Sequence, residues 1–170
     1  MFHVEHLCET TTRILNFEYM NKELLLENLR NIPDFPIPGI QFKDVTSLFK
    51  KPECLREMDN ALYDMYKDKG ITKIVGIESR GFVMASSLAV KLNAGFVPIR
   101  KPGKLPAETI SETYGKEYGR DTIEIHKDAI CEDDVVLIHD DLLATGGTML
   151  AAYHLVQKLN PKKVYINFII

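Results

Sequence analysis

Apolar residues recur at helical spacing in two segments of the first seventy residues. The first pattern begins just past Met20 and continues through Leu29 to Ile32, which predicts a helix there. The second opens with Pro52 at its first turn and closes before Gly70, with apolar positions three or four residues apart at Leu55, Met58, Leu62 and Met65. We expect this second helix to pack one face against a core.

From residue 71 onward the pattern changes to short apolar runs that alternate with helical periods. These extended and helical segments lie at 71–77, 82–92, 96–99, 122–126, 135–138, 147–159 and 164–170. Strands separated by helices are typical of βαβ units, in which the strands run parallel. The sequence therefore predicts an α/β fold with a mostly parallel sheet flanked by helices.

Two segments, one before this alternation and one within it, show neither pattern. The prolines within residues 33–39 remove backbone donors and fix φ, which predicts a shaped loop followed by an extended stretch at 40–45. Residues 101–121 are rich in glycine and proline and show no apolar period. Loops of about twenty residues in compact domains are usually functional or disordered, so we expect a flexible lid loop here.

The two ends of the chain differ from the rest. Residues 1–19 show no sustained period and are left as an unassigned N-terminal extension, so that either Met1 or Met20 is the true start. Residues 20–170 are expected to form a single domain. The sequence stops inside the apolar run at 164–170. We therefore expect a domain that is short at its C-terminus, with an effect on stability or activity.

Composition and charge narrow the class of protein. The 170 residues carry a formal net charge of −3, which argues against a protein that coats nucleic acid or an anionic membrane. No apolar run approaches the roughly 18 residues of a membrane span, and the N-terminus lacks the pattern of a signal peptide. We expect a cytoplasmic protein. The charge is uneven, because residues 79–107 carry five basic and no acidic residues, and we interpret this stretch as suited to a small polyanion.

The most specific motif is the run VVLIHDDLLATGGT from Val135 to Thr148. A buried strand would deliver two adjacent carboxylates, Asp140 and Asp141, to the edge where open α/β sheets bind ligands. The small residues that follow would let backbone N–H groups and a helix N-terminus approach a phosphate. The alternative is an Asp-rich turn whose threonines cap a helix. Neither GxxxxGK[ST] nor GxGxxG occurs, so a P-loop or dinucleotide-binding fold is not indicated.

This run resembles the signature of the type I phosphoribosyltransferases, in which a hydrophobic strand, an acidic pair and a Thr-Gly loop follow one another. The resemblance implies binding of 5-phosphoribosyl 1-pyrophosphate with Mg²⁺. It implies that Asp140 and Asp141 bind the ribose hydroxyls, directly or through a metal that the substrate mainly holds. The cradle for the 5′-phosphate would comprise Ala144, Thr145, Gly146, Gly147 and Thr148. His139 replaces the usual aliphatic residue before the acidic pair, and we interpret it as a packing variation.

Four further segments narrow the resemblance to the adenine-specific branch of the family. The segments occur in the family's order, and the match as a whole runs from about residue 20 to residue 170. They lie at 33–44, 78–82, 100–106 and 117–119. By this resemblance, the side chains that bind the leaving pyrophosphate are Ser79, Arg80, Arg100, Lys101 and Lys104. Hydrogen bonds and positive charges suit that anion. The family brings the Arg100–Lys101 segment partly across a dimer interface, so we expect a homodimer with shared active sites.

The lid acquires a role from the same resemblance. Its closure would exclude water from the reaction, and Glu117 and Tyr118 resemble the catalytic pair of the family's loop. Glu117 would either carry a proton toward the purine or order the closed loop. The alternative is an exposed acid on a mobile loop.

The proline-rich segment resembles the hood that covers the base in this family. We assign the small N-terminal hood to about residues 33–45, with base contacts from Gln41, Phe42 and Lys43. Some relatives have valine and arginine where this chain has Gln41 and Lys43. Because lysine keeps the charge but lacks the planar guanidinium, we expect the details of base contact to differ.

The resulting hypothesis is a purine-salvage glycosyltransferase that converts adenine and 5-phosphoribosyl 1-pyrophosphate to AMP and pyrophosphate. One alternative is a phosphoribosyltransferase for another purine base, against which the hood and the sequence at 100–104 argue. The other is a non-catalytic regulator that senses phosphoribosyl pyrophosphate and binds nucleic acid. Residues 1–19 are too short and too acidic for the basic extension that such a regulator needs.

Overall fold

The computed structural model describes residues 20–115 and 119–170, together with the backbone of residues 12–14. The helices are α1 (Lys22–Asn28), α2 (Thr46–Phe49), α3 (Pro52–Tyr66), α4 (Gly81–Leu92) and α5 (Gly147–Gln157). The strands are β1 (Thr12–Ile14), β2 (Arg30–Pro33), β3 (Gln41–Asp44), β4 (Lys73–Ile77), β5 (Gly95–Ile99), β6 (Thr109–Gly115), β7 (Arg120–His126), β8 (Val135–Asp140) and β9 (Lys163–Phe168). Over these described ranges, no helix is both long and apolar enough to cross a membrane.

Five of the strands form one sheet in the order β1-β9-β8-β4-β5. Every neighbouring pair in this sheet is parallel. The predicted α/β architecture with a parallel sheet between helices is therefore confirmed. β1 lies within the extension that the sequence left unassigned, because three residues are too few to display a period of two. It pairs with β9, so β9 has a neighbouring strand on each side.

Hydrophobic cores cover both faces of the sheet, because successive residues of a strand point to opposite faces. In β8, Leu137 belongs to the core that includes residues of α1 to α4, whereas Val136 and Ile138 belong to the core that includes α5 and β7. All three side chains are fully buried. A strand buried on both faces needs a continuous apolar run, which is why β8 is so visible in the sequence.

The first helix is shorter than its apolar pattern predicts. α1 ends at Asn28, and Ile32 lies in β2, so the helical prediction is wrong beyond residue 28. Ser47 contributes to this ending, because its hydroxyl donates to the carbonyl of Asn28 and accepts from the N–H of Arg30. β2 then pairs antiparallel with β3, and this hairpin with its connecting turn contains the segment predicted as the hood.

The segment predicted as a lid loop is largely a β-hairpin, which corrects the expectation of an irregular stretch over 101–121. β6 and β7 pair antiparallel in continuous register from Thr109 opposite His126 to Gly115 opposite Arg120. The irregular part that precedes the hairpin is limited to residues 101–108. β6 packs against α5 through Ile110 and Tyr114, beside the second core. Most other residues of β6 are polar, which hid the strand from a search for apolar periods.

Candidate active site

The candidate site lies where three neighbouring strands of the parallel sheet end. β8 and β5 both pair with β4, so the segments that follow them meet: Asp140–Asp141 after β8, Glu78–Arg80 after β4 and Arg100–Lys101 after β5. The helix after β4 and the helix after β8 cover opposite faces of the sheet. Open α/β sheets bind ligands at the strand ends where successive helices leave toward opposite faces. A cleft of about 270 Å³ opens at this place.

Both predicted and unpredicted residues line this cleft. The predicted ones are Ser79, Arg80, Arg100, Lys101, Asp140, Asp141 and Thr148. The others are Ile77, Glu78, Ile99, Tyr114, Asp121 and Ile123. Three of these additions are polar, and each of the three holds a predicted site residue through a hydrogen bond or an ion pair. The predicted catalytic pair, Glu117 and Tyr118, lies outside the described residues.

The two carboxylates after β8 have different surroundings. Asp141 is nearly fully buried and forms an ion pair with the Arg80 guanidinium. Asp140 accepts a hydrogen bond on Oδ1 from the Asp141 backbone N–H at 2.9 Å. Burial and then the charge of Asp141 raise the pKa of Asp140. A sugar hydroxyl or a divalent cation would stabilise both ionised carboxylates, because each offsets the repulsion between them.

Arg80 lies between the acidic pair and the hood. While its Nε pairs with Asp141, its guanidinium carbon lies 5.7 Å from the centre of the Phe42 ring. This is within the range of a cation–π contact. Phe42 also packs edge-on against Phe35, with ring centres 5.2 Å apart. The hood is thereby brought to the edge of the cleft by one of its three predicted base contacts.

The other two hood residues are less directly connected to the cleft. Gln41 is exposed, and its Oε1 accepts a hydrogen bond from Asn31 Nδ2 at 2.6 Å across the hairpin. Lys43 is also exposed. Neither is among the cleft-lining residues, so their contact with a base stays a prediction.

The loop after β4 approaches the end of β8 very closely. A Cβ added to Gly81, the first residue of α4, would lie 2.9 Å from the His139 carbonyl oxygen and 3.0 Å from Asp140 Oδ1. The peptide bond between Glu78 and Ser79 is cis. Only a glycine at this position lets the start of α4 rest against the acidic pair.

Glu78 organises the basic segment after β5. Its carboxylate accepts from Arg100 Nε and Nη2, both at 3.3 Å, from the Lys104 ammonium and from the Lys101 backbone N–H at 3.1 Å. The Lys104 ammonium, with help from Arg100, lowers the pKa of Glu78 to about 2. Glu78 was not predicted as a site residue. The available signal was a single acidic residue directly before a long basic stretch.

The five basic residues of the stretch 79–107 all form ion pairs with carboxylates that lie outside it in the sequence. Lys101 pairs with Asp121 of β7, and Arg80, Arg100 and Lys104 pair with the carboxylates named above. Lys91 does not line the cleft; it pairs with Asp59 at 2.6 Å between α4 and α3. Any anion that binds here must therefore compete with carboxylates.

The loop between β8 and α5 has the properties of a phosphate cradle. Gly146 has a φ of +80°, which a glycine adopts without strain, and α5 begins at the next residue. The unpaired N–H groups of a helix N-terminus favour an anion. Ala144 and Thr145 are exposed, and Thr148 lines the cleft. The Leu143 N–H donates to the Ile170 carbonyl at 2.8 Å, so the residues after β9 support this loop.

The acidic pair, Asp140 and Asp141, suits a magnesium ion that is held mainly by a substrate. Carboxylate oxygens are ligands that Mg²⁺ prefers, and it usually binds through one or two carboxylates together with substrate phosphates. Asp140 and Asp141 supply such oxygens. Within residues 20–115 and 119–170, no group of three or more acidic, histidine or cysteine side chains is placed to hold a metal.

An α/β sheet whose strand ends bring together an acidic pair, a glycine-containing loop at a helix N-terminus and paired cations is suited to a phosphorylated sugar. Residues 44–170 match the family model described as the phosphoribosyl transferase domain. The chain belongs to the phosphoribosyltransferase family.

Within that family the chain is similar to adenine phosphoribosyltransferases. The Bacteroides thetaiotaomicron enzyme is 71% identical over 151 residues, covering 89% of this chain and 86% of the relative. The Shewanella frigidimarina enzyme is 51% identical over 147 residues, covering 86% and 81%. The Rhodothermus marinus enzyme, at 53% identity, matches the fold with a TM-score of 0.79 over 86% of this chain and 83% of that chain. The structure of the Saccharomyces cerevisiae enzyme complexed with adenine and an imino-altritol bisphosphate has a TM-score of 0.80 at 41% identity. The match covers 86% of this chain and 85% of that chain.

Proposed function

We propose that the chain is an adenine phosphoribosyltransferase, which transfers the phosphoribosyl group of 5-phosphoribosyl 1-pyrophosphate to N9 of adenine and releases pyrophosphate. The observation that carries this function is the meeting of the acidic pair, the phosphate loop and the Glu78–Arg80 loop at three adjacent strand ends. The 71% identity to a curated adenine phosphoribosyltransferase supports the choice of base.

The geometry supports a division of the substrate among these parts. The loop at 144–148 and the N-terminus of α5 hold the 5′-phosphate, and Asp140 and Asp141 accept hydrogen bonds from the ribose hydroxyls. Ser79, with the basic residues around Glu78 and Asp141, binds the pyrophosphate. Catalysis then comes from positioning the two reactants and from stabilising the charge of the leaving group, without a covalent enzyme intermediate.

Magnesium belongs to this proposal as a ligand of the substrate. When bound, Mg²⁺ neutralises part of the negative charge on the pyrophosphate. The acidic pair would hold it, and Arg80 would exchange its contact with Asp141 for the pyrophosphate. Because a buried carboxylate needs a positive partner, Mg²⁺ would have to stand in for Arg80 beside Asp141.

The hood and the lid complete the proposed site. Phe42 offers an apolar ring beside Arg80 for the adenine, and we assign further base contacts to Gln41 and Lys43. The hairpin of β6 and β7 is the lid, and Glu117 and Tyr118, which belong to its connection, act as its catalytic pair. Whether Glu117 transfers a proton or orders the closed state stays open.

A homodimer is also part of the proposal. The exposed face of α4 carries Val83 and Val90 beside Ser86, Ser87 and Lys91, and β5 next to it exposes Phe96. This face is continuous with the segments that precede α4 and follow β5, which bear Arg80 and Arg100. Arg100 and Lys101 line the cleft of their own chain. A second copy would therefore contribute further residues to a cleft that the residues of one chain already line. The cytoplasmic location stays a prediction from the sequence.

A panel assay tests the function. The protein is incubated with Mg²⁺, phosphoribosyl pyrophosphate and one of adenine, hypoxanthine, guanine, xanthine or orotate, and nucleotide formation is measured. We expect AMP from adenine and little product from the other bases. The double variant Asp140→Asn with Asp141→Asn should lose nearly all turnover, because each amide removes the negative charge and replaces one of the two acceptor oxygens with a donor.

Other results would redirect the assignment. Product from hypoxanthine or guanine instead of adenine would identify a different purine enzyme of the same family. No product from any base, together with binding of phosphoribosyl pyrophosphate, would favour a sensing regulator. An active double variant would contradict the role of the acidic pair.

A further inference from the structure

Tyr114 contacts the phosphate loop through both its ring and its hydroxyl. It lies next to the end of β6, and its hydroxyl oxygen is 3.0 Å from Thr148 Oγ1 in the first turn of α5. Its ring also reaches the helix, because a Cβ added to Gly147 would lie 3.6 Å from Tyr114 Cδ2. The hairpin therefore rests on the start of α5 through this tyrosine.

The same hydroxyl reaches the other end of the cleft. It donates to Asp121 Oδ2 at 3.3 Å across the hairpin, and that carboxylate is the partner of the Lys101 ammonium. A continuous series of polar contacts thus runs from Thr148 through Tyr114 and Asp121 to Lys101. Its two ends are the proposed 5′-phosphate site and the proposed pyrophosphate site.

The single proton of a phenol makes these two contacts depend on each other. When Tyr114 donates to Asp121, Thr148 must donate to Tyr114, and its proton then points at the hairpin. When Thr148 donates its hydrogen bond to a phosphate oxygen, Tyr114 can donate to Thr148 Oγ1 instead of to Asp121. In that arrangement Thr148 accepts a hydrogen bond from Tyr114, and the hydroxyl proton of Thr148 is available to the phosphate.

We propose that Tyr114 is a positioning residue for phosphoribosyl pyrophosphate, which orients the Thr148 hydroxyl toward the 5′-phosphate and couples it to Asp121 and Lys101. This inference rests on the proposed function, because it assigns the two ends of the cleft to one substrate. It concerns that substrate alone, since the series of contacts does not include the hood.

The test is the variant Tyr114→Phe, which keeps the ring against α5 and removes the hydroxyl. We expect the KM for phosphoribosyl pyrophosphate to rise about 3- to 10-fold, as the loss of one hydrogen bond predicts. The KM for adenine and kcat should change less than about twofold. Tyr63→Phe is the matched control, because Tyr63 lies on α3 beside Lys91 and does not line the cleft.

A second variant distinguishes positioning from general stability. In a Thr148→Val background, Tyr114→Phe should raise the KM for phosphoribosyl pyrophosphate by less than about twofold, because the hydroxyl has lost its partner. Additive effects of the two substitutions would overturn the proposal. It would also be overturned by an unchanged KM in Tyr114→Phe, or by equal rises for both substrates with a lowered Tm.

Direct binding separates this proposal from the proposed function. If the wild-type protein makes no AMP, the proposed function fails, and calorimetry with ribose 5-phosphate still tests Tyr114. A Kd about 3- to 10-fold weaker in Tyr114→Phe supports the positioning role. Equal affinity in the two proteins excludes it.

Discussion

At the scale of single residues, His139 is the position where this chain departs most from an ordinary parallel strand. Its side chain is fully buried, and Nδ1 lies 3.0 Å from Asn167 Oδ1 on the neighbouring strand β9. Its Nε2 is buried without a hydrogen-bond partner among the described residues. Burial lowers the pKa of His139 to about 4, against the opposing effects of Asn167 and Asp141.

This burial predicts a pH-dependent stability. The unfolded chain protonates His139 near pH 6.5 and the folded chain only near pH 4, so the contribution of His139 to stability is full above about 6.5 and falls as the pH drops toward 4. Asp140, whose pKa burial raises to about 7, contributes a slope of the opposite sign over the same range, so the His139 contribution is the difference between two proteins. In urea unfolding without Mg²⁺ or substrate, at several pH values between about 7 and 4.5, His139→Val should lose less stability on acidification than the wild type, whatever the absolute stability of the variant.

The exposed His154 provides the control for this measurement. Its side chain is about half exposed on α5, so His154→Ala should keep the slope of the wild-type protein. An equal slope in His139→Val and the wild type would show that other groups account for the acid sensitivity.

At the scale of elements, the contact between the start of α4 and the end of β8 fixes the shape of the cleft. The neighbours that a Cβ at Gly81 would meet are a backbone carbonyl and the Asp140 carboxylate, neither of which can move without disturbing β8. We expect Gly81→Ala to destabilise the protein by about 1 to 3 kcal/mol and to raise the KM for phosphoribosyl pyrophosphate. Thermal unfolding and initial-rate kinetics measure the two effects.

Gly95 offers a matched control for this substitution. A Cβ there would lie 3.1 Å from Lys73 Cδ, the flexible part of a long side chain that can move aside. Gly95→Ala should therefore change stability and KM much less than Gly81→Ala. Comparable effects at both positions would contradict the account of the contact between α4 and β8.

The elements also show how far the sequence predicts the fold and where prediction ends. β4, β8, α4 and α5 lie close to their predicted bounds, because burial on both faces or on one helical face leaves a strong apolar pattern. β1 has three residues and α2 has four, too few to show a period. β6 was missed because its residues are mostly polar, and its pairing with β7 fixes it through backbone hydrogen bonds instead.

The site shows the same division between local and tertiary information. The run at 135–148 predicted the acidic pair and the candidate phosphate loop, because all its members are contiguous in the chain. Glu78, Tyr114 and Asp121 were missed as site residues. Their roles depend on partners such as Lys104, 26 residues away from Glu78, and Thr148, 34 residues away from Tyr114. No local pattern records such pairings.

At the scale of the whole molecule, the face of α4 that exposes Val83 and Val90 is the proposed interface of the homodimer. Val90 is 83% exposed in the single chain, and a second copy would cover it in the proposed homodimer. We expect the wild-type protein to have twice the 19.4 kDa mass of the chain in light scattering coupled to size exclusion. Val90→Asp should shift it toward the monomer, because burying an unpaired carboxylate is costly.

Leu26→Asp tests whether that effect is specific to α4. Leu26 is 57% exposed on α1, so a charge there should leave the mass unchanged. A wild-type monomer, or a dimer that survives Val90→Asp, would argue against this face as the interface.

The internal ion pairs of the cleft also bear on turnover. Glu78, Asp121 and Asp141 already form ion pairs with the cations that a pyrophosphate would use. Binding of pyrophosphate would therefore replace one anion by another at these cations. Each carboxylate is tethered beside its cation at a high effective concentration. In the proposed reaction these tethered carboxylates would favour the departure of pyrophosphate, because each one can return to its own cation as the product leaves.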